Sequence, residues 1–378
     1  MKKMPPAHML RASVAIFLVA ALAACSSTPD KPKPADLPAN VALLGVRQAW
    51  NVKLGDIGFP LEVNVSGSTV ALASGNGTVL ALDAKTGREL WRTAVGTPLT
   101  AGVGSDGKVA AVVTRDNEVV AMESGKVLWR QRLGAQAFTA PLVAGGRVFV
   151  LAADRSVTAF DGQTGRKLWN QQRTGEALVL GQASALLAVG DTLVAGQSGR
   201  LVGMNPANGS TRWEAPIATP RGTNEVERLV DLVGRVSRVG DVVCARAFQS
   251  AVGCVDAVRG RVLWAKASQA AEGVHGNEQF VFGAEGDGKV VAWRRDTGEQ
   301  AWVTERLRYR TLSAPLAVGR SVAVGDGTGL VHFLSREDGS PLTRVSTDGS
   351  AIVAPPVLAG DTVVVVTHNG GIFGFQPE

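Results

Sequence analysis

Residues Val79–Trp91 read VLALDAKTGRELW, and the pattern returns as VTAFDGQTGRKLW at Val157–Trp169 and VGCVDAVRGRVLW at Val252–Trp264. Val79–Leu82 is a short apolar run of the kind a strand buried on both faces requires. Asp83 can accept hydrogen bonds from the backbone just beyond it, and Gly87 tolerates the positive φ of a tight turn. Arg88–Trp91 starts a return strand whose Trp brings a large apolar body and one N–H donor. Each copy reads as a β-hairpin.

Further copies lie at Val119–Trp129, two turn residues short, at Leu201–Trp213 and at Val290–Trp302. Val331–Thr343 carries Thr in place of Trp, and Ile372–Glu378 holds only the first half. From Trp50 through Trp91, Trp129, Trp169, Trp213, Trp264 and Trp302 to Thr343 the spacings are 41, 38, 40, 44, 51, 38 and 41 residues. Upstream of the hairpins lie two more strand-like runs, such as Ala140–Val143 with Arg147–Leu151. Four short strands in a unit of ~40 residues is the period of a propeller blade. The last copy stops before its Trp strand, while Gln48-Ala49-Trp50 has no hairpin before it. Paired with each other, the two fragments complete a blade and leave no open sheet edge. The expected fold is all-β: an eight-bladed β-propeller of four antiparallel strands per blade, its last blade closed by the N-terminal strand.

The first 24 residues are expected to lie outside this fold. Lys2, Lys3 and Arg11 precede an apolar run at residues 12–24, too short for a stable membrane helix and suited to a signal-peptide core. Leu22-Ala23-Ala24-Cys25 looks like a bacterial lipobox, which implies cleavage before Cys25 and acylation of that residue; Ser26 rather than Asp favours the outer membrane. Residues 25–44 then form a lipidated Cys and a flexible tether rich in Pro, Lys and Asp, and residues 45–378 form the propeller. Losing Met1–Ala24 lowers the formal charge from +6 to +3. No basic run with interleaved aromatics follows, so nucleic acid is not an expected partner.

Cys244 and Cys254 align with Ala71 and Ala81 on neighbouring strands, near cross-strand opposition. An oxidising compartment favours a disulfide there, while two small buried cysteines are the alternative. Catalytic signatures are absent. His275, His332 and His368 fall in three different blades without metal-ligand spacing, and the sequence holds no CxxC, HExxH, GxSxG or phosphate loop. Asp83, Asp161 and Asp256 share one turn position, which points to a structural role.

The period breaks in two consecutive connections. Trp169 to Leu186 takes 17 residues and Trp213 to Arg235 takes 22, where most take 7 to 13. Both join an outermost strand to the next innermost strand, so both are expected on one face, where binding commonly resides. The first carries Leu178-Val179-Leu180 and the second Glu225-Val226-Glu227-Arg228-Leu229-Val230-Asp231.

On these features the chain resembles the BamB family, lipoprotein propeller subunits of the bacterial outer-membrane β-barrel assembly (Bam) machinery. The second segment looks like that family's acidic E-x-[DE]-R-L-x-D loop. Two positions depart from the family: Gly181 stands where Arg is common, and Val233 where a second Asp is common. The resemblance implies a non-catalytic scaffold without cofactor, docked on a POTRA domain of BamA through Leu178, Leu180, Glu227, Arg228 and Asp231. It also implies association with other Bam subunits, lipid anchoring at Cys25 on the periplasmic face of the outer membrane, and assistance to unfolded outer-membrane proteins. The repeat is shared with quinone (PQQ)-dependent dehydrogenases, so a dehydrogenase-like protein is the alternative reading, and a propeller for another envelope partner a further one.

Overall fold

The computed structural model describes residues 32–378 except residues 56, 60 and 174–177. The expected signal peptide and Cys25 lie outside the described residues. Ala35–Glu378 forms one compact unit. Its eight sheets each have four strands in antiparallel order. The blades span residues 64–94, 99–132, 142–171, 186–216, 232–267, 274–304 and 316–346, and the eighth joins residues 357–377 to Val46–Lys53.

The closure follows the expected pattern. Val46–Lys53 pairs antiparallel with Gly371–Pro377, and Trp50 faces Gly374. Within each blade the two middle strands are the apolar ones. Thr69–Ala73 and Thr78–Asp83 are almost wholly buried, whereas the outer strand Glu89–Ala94 shows only alternating partial burial. The core consists of apolar clusters between successive blades; Ala71, Val79, Val112 and Val120, for example, join the first blade to the second.

The repeated Trp has a specific task between blades. The indole Nε1 of Trp50, Trp129, Trp169, Trp264 and Trp302 donates to a turn carbonyl of the following blade, on Ala84, Gly162, Pro206, Arg295 and Arg336, at 2.7–3.0 Å. The turn glycine lies against the same ring. A Cβ on Gly298, at φ +70°, would stand 2.5 Å from the Trp264 ring. The turn is pinned from within by the repeated Asp, whose Oδ1 at Asp83 accepts from Thr86 N–H at 2.9 Å and from its hydroxyl at 2.6 Å. These bonds hold the Asp83 carboxyl below its ordinary range.

Thr343 in the seventh blade has a physical reason. The eighth blade is made from two chain ends, so it has no turn between its last two strands to receive an indole. Residues before Val46 run there instead. Leu43 N–H donates to Leu342 O at 2.7 Å, and Leu37 packs on the core cluster of the sixth and seventh blades. The compact unit therefore includes Ala35–Leu44, part of the stretch whose composition reads as tether.

Candidate functional site

The two long connections run from Gln171 to Leu186 and from Pro216 to Leu232. The fifth blade's inner strand begins at Leu232, earlier than the Arg235 expected from spacing, and its pairing breaks between Val233 and Ser237. Both connections leave an outermost strand for the next innermost one, so they emerge on the same face.

They are tied to each other and to the blades beneath. Leu180 N–H donates to Asp231 Oδ2 at 3.0 Å, and Gly234 N–H donates to Ala183 O at 2.7 Å. The Arg155 guanidinium donates to Leu178 O at 3.3 Å and to Ser198 Oγ at 3.0 Å, while Gln197 donates to Arg155 O at 2.7 Å. Leu178, Val179 and Leu180 are half-buried, each with part of its apolar surface open to solvent.

Residues 224–229 form an exposed helical turn. Asn224 Oδ1 accepts from Glu227 N–H at 2.9 Å as an N-cap, and Glu227 Oε2 reaches back to accept from Thr223 N–H at 2.8 Å. The Thr223 N–H, with Asn224 behind it, lowers the pKa of this exposed carboxyl. Val226 projects from the turn 73% exposed, and Arg228 lies beside it, also exposed.

Of the five residues expected at the interface, Leu180 and Asp231 are brought into direct contact, Leu178 is held by Arg155, and Glu227 with Arg228 sits on the neighbouring exposed turn. Arg155 and Val226 escaped sequence reasoning. Arg155 had a signal, since it stands at a left-handed turn position, φ +63°, where Gly77, Gly288, Gly329 and Gly370 stand in other blades.

A second feature is the central channel, a cavity lined by Asn64 and Arg235 on inner strands and by Glu62, Gln182 and Glu272 in the connections just before such strands. Arg235 Nη1 donates to Pro356 O at 2.5 Å. Burial raises the Glu62 carboxyl to about 7, against the opposing pull of Ala140 N–H and the Arg235 charge. Burial likewise lowers Arg235 to about 10. His275 falls to about 3 through burial and the charges of Arg235 and Arg295, and its Nδ1 accepts from Ala317 N–H at 3.0 Å. His332 is paired with Asp326 at 2.9 Å.

A quinone site of the dehydrogenase type needs adjacent cysteines under the cofactor and a carboxylate cluster for a cation. Cys244 and Cys254 instead oppose each other on the middle strands of the fifth blade, fully buried and bonded at 1.92 Å. Neither borders the channel. Among the described residues no group of three or more His, Cys, Asp or Glu is arranged to hold a metal ion. The residues present do not fit that cofactor.

Fold and site together define an eight-bladed propeller whose distinctive surface is a pair of interlocked loops. A family profile described as "Outer membrane protein assembly factor BamB" matches residues 75–304. The chain is 40% identical to the outer membrane protein assembly factor BamB of Burkholderia pseudomallei, over 95% of this chain and 96% of that one. It belongs to the BamB family. The crystal structure of BamB from Moraxella catarrhalis shares the fold with TM-score 0.79 and 23% identity, covering 88% of this chain and 99% of that one. A quinohemoprotein alcohol dehydrogenase from Pseudomonas putida HK5 also shares it, with TM-score 0.69 and 14% identity over 89% of this chain and 77% of that one. That second likeness is one of fold alone. The relative matched closely in sequence is an assembly factor rather than an enzyme.

Proposed function

We propose that this protein is a non-catalytic scaffold of the outer-membrane protein assembly complex, anchored by acyl chains on Cys25 to the periplasmic face of the outer membrane. It binds a POTRA domain of BamA through the long-connection face and assists the folding and insertion of β-barrel proteins. Other Bam subunits are its neighbours in the complex, and unfolded outer-membrane proteins are clients that its exposed outer strands can receive by strand addition.

The Asp231–Leu180 bond carries this reading. It locks two connections, the parts of the chain that depart most from the blade period, into one platform with half-buried leucines beside the exposed Val226 and Arg228. An apolar centre with a charged rim is the composition of a protein interface. The test is a pull-down of the periplasmic domains of BamA by the chain lacking Met1–Cys25, beside a Leu180→Asp, Arg228→Glu variant, with circular dichroism on both. Binding that the folded variant loses supports the reading. A folded wild type that fails to bind overturns it and leaves another envelope partner. For the dehydrogenase alternative, added quinone and Ca²⁺ are expected to produce no turnover.

A further inference from the structure

The N-terminal segment reaches the propeller by an indirect route. Val46 pairs with Pro377 at the end of the strand Gly371–Pro377, while Lys53 pairs with Gly371 at its start. The long connections follow outermost strands such as Val46–Lys53, so Val46 lies on the opposite face from them. A chain leaving the propeller directly at Val46 would depart from that opposite face.

Ala35–Leu44 carries it back. Leu43 N–H bonds Leu342 O at 2.7 Å near the beginning of the outer strand Pro341–Ser346. Asn40 Nδ2 bonds Arg344 O at 3.0 Å, two residues further along the same edge. Ala35 N–H bonds Arg308 O at 2.9 Å, in the connection between the sixth and seventh blades. That connection joins an outermost strand to an innermost one, like the two long ones, and so shares their face.

Three arginines fasten the segment by its carbonyls. Arg320 donates to Leu43 O at 2.7 Å, Arg344 to Pro38 O at 3.4 Å and Arg310 to Ala35 O at 2.9 Å. Arg310 is itself fixed, since its Nε donates to the fully buried Asp326 at 2.8 Å and its Nη2 to Thr328 Oγ1 at 3.0 Å. Charge-assisted bonds from so well-braced a donor make a deliberate clamp.

We propose that Ala35–Leu44 is a strap that guards the open edge of the seventh blade and redirects the chain, so that a membrane anchor upstream pulls on the face bearing the long connections. The anchoring half rests on the acylation of Cys25 proposed above. Ten residues separate Cys25 from Ala35, a span of about 36 Å even when fully extended. Without the strap the tether would run 21 residues to Val46, about 75 Å, and would end on the other face. The strap thus halves the reach and selects the face turned to the bilayer.

The experiment uses the full acylated chain in phosphatidylethanolamine/phosphatidylglycerol vesicles bearing a headgroup acceptor dye. Donor dyes are placed at Val226→Cys on the long-connection face, or at Val258→Cys in a turn of the opposite face, positions 73% and 63% exposed. Energy transfer from position 226 is expected to be at least twice that from 258. In a Leu43→Pro, Arg320→Ala, Arg344→Ala variant that difference should vanish. Hydrogen exchange over residues 35–44 should be at least tenfold slower in the wild type than in the variant. Unprotected wild-type amides overturn the strap, and greater transfer from 258 overturns the orientation. Protected amides in a chain that does not float with vesicles uphold the strap and sink the acylation reading instead.

Discussion

The carboxylate of Asp231 accepts a hydrogen bond from the backbone N–H of Leu180 at 3.0 Å, across 51 residues of sequence. Asp231 therefore acts first on its own chain, holding the loop that presents the leucines. Asp231→Ala leaves the Leu180 N–H without its acceptor and is expected to cost about 1–2 kcal/mol and to speed exchange across residues 178–183. Asp231→Asn keeps an acceptor oxygen and should retain most of that order. Partner affinity should follow loop order, falling for Ala and nearly preserved for Asn. If Asn binds as poorly as Ala while its loop stays ordered, the charge contacts the partner directly.

The indole latches predict a graded stability series. Gly298→Ala forces a Cβ to 2.5 Å from the Trp264 ring at φ +70°, where an L side chain is strained. A loss of about 2–4 kcal/mol in denaturant unfolding is expected. Trp264→Phe removes the donor to Arg295 O but keeps an aromatic body, so about 1–2 kcal/mol is expected. Trp91 is a built-in control, because the turn of the second blade is two residues short and its indole lacks this latch among the described contacts. Trp91→Phe should cost less than Trp264→Phe.

The blade pattern was legible because most copies repeat the same local physics: an apolar run, a tight turn that Asp83, Asp161 and Asp256 cap from within, and a glycine under an indole. Ring closure was legible from the two half-copies at the ends. The interface platform was legible only as an excess of length. Nothing periodic marks the Asp231 side chain as the partner of Leu180 N–H, and the bond depends on two connections meeting in space. The strap was hidden for a related reason. Its clamps grip backbone carbonyls, which every sequence carries alike, so Ala35–Leu44 reads as tether. Glu62 and Arg235 meet across the channel from the first and fifth blades, a relation that sequence spacing does not encode.

Cys244 and Cys254 make a further prediction. They are paired directly across the middle strands of the fifth blade and close a loop of sequence separation 10, for which chain-entropy reasoning gives about 2–3 kcal/mol. Peptide mapping of the full chain without reductant should recover them as one linked species. The Cys244→Ala, Cys254→Ala variant should unfold earlier by that amount while binding its partner with unchanged affinity, because the pair lies within the blade and touches neither long connection. Recovery of both as free thiols would sink the prediction.

Glu62 makes stability depend on pH. Its carboxyl titrates at about 7 in the folded chain against an ordinary 4.5, so between those values the folded state holds a proton that the unfolded chain has released. Stability contributed at this site therefore falls as pH rises from about 4.5 to about 7 and is level beyond. The gap corresponds to about 3 kcal/mol at most, and contact with the channel space reduces it to about 1–2 kcal/mol. His275 works with the opposite sign and in another window. Its folded value of about 3 against 6.5 withholds a proton, so stability is lost as pH falls from about 6.5 towards 3. Glu62→Gln keeps an acceptor for Ala140 N–H and removes the charge. It should unfold like wild type near pH 4.5 and be more stable by about 1–2 kcal/mol at pH 8. The acid-side loss from His275 should remain. Should the variant instead be less stable at pH 8, the Arg235 charge outweighs burial, and the channel holds a working ion pair rather than a protonated acid.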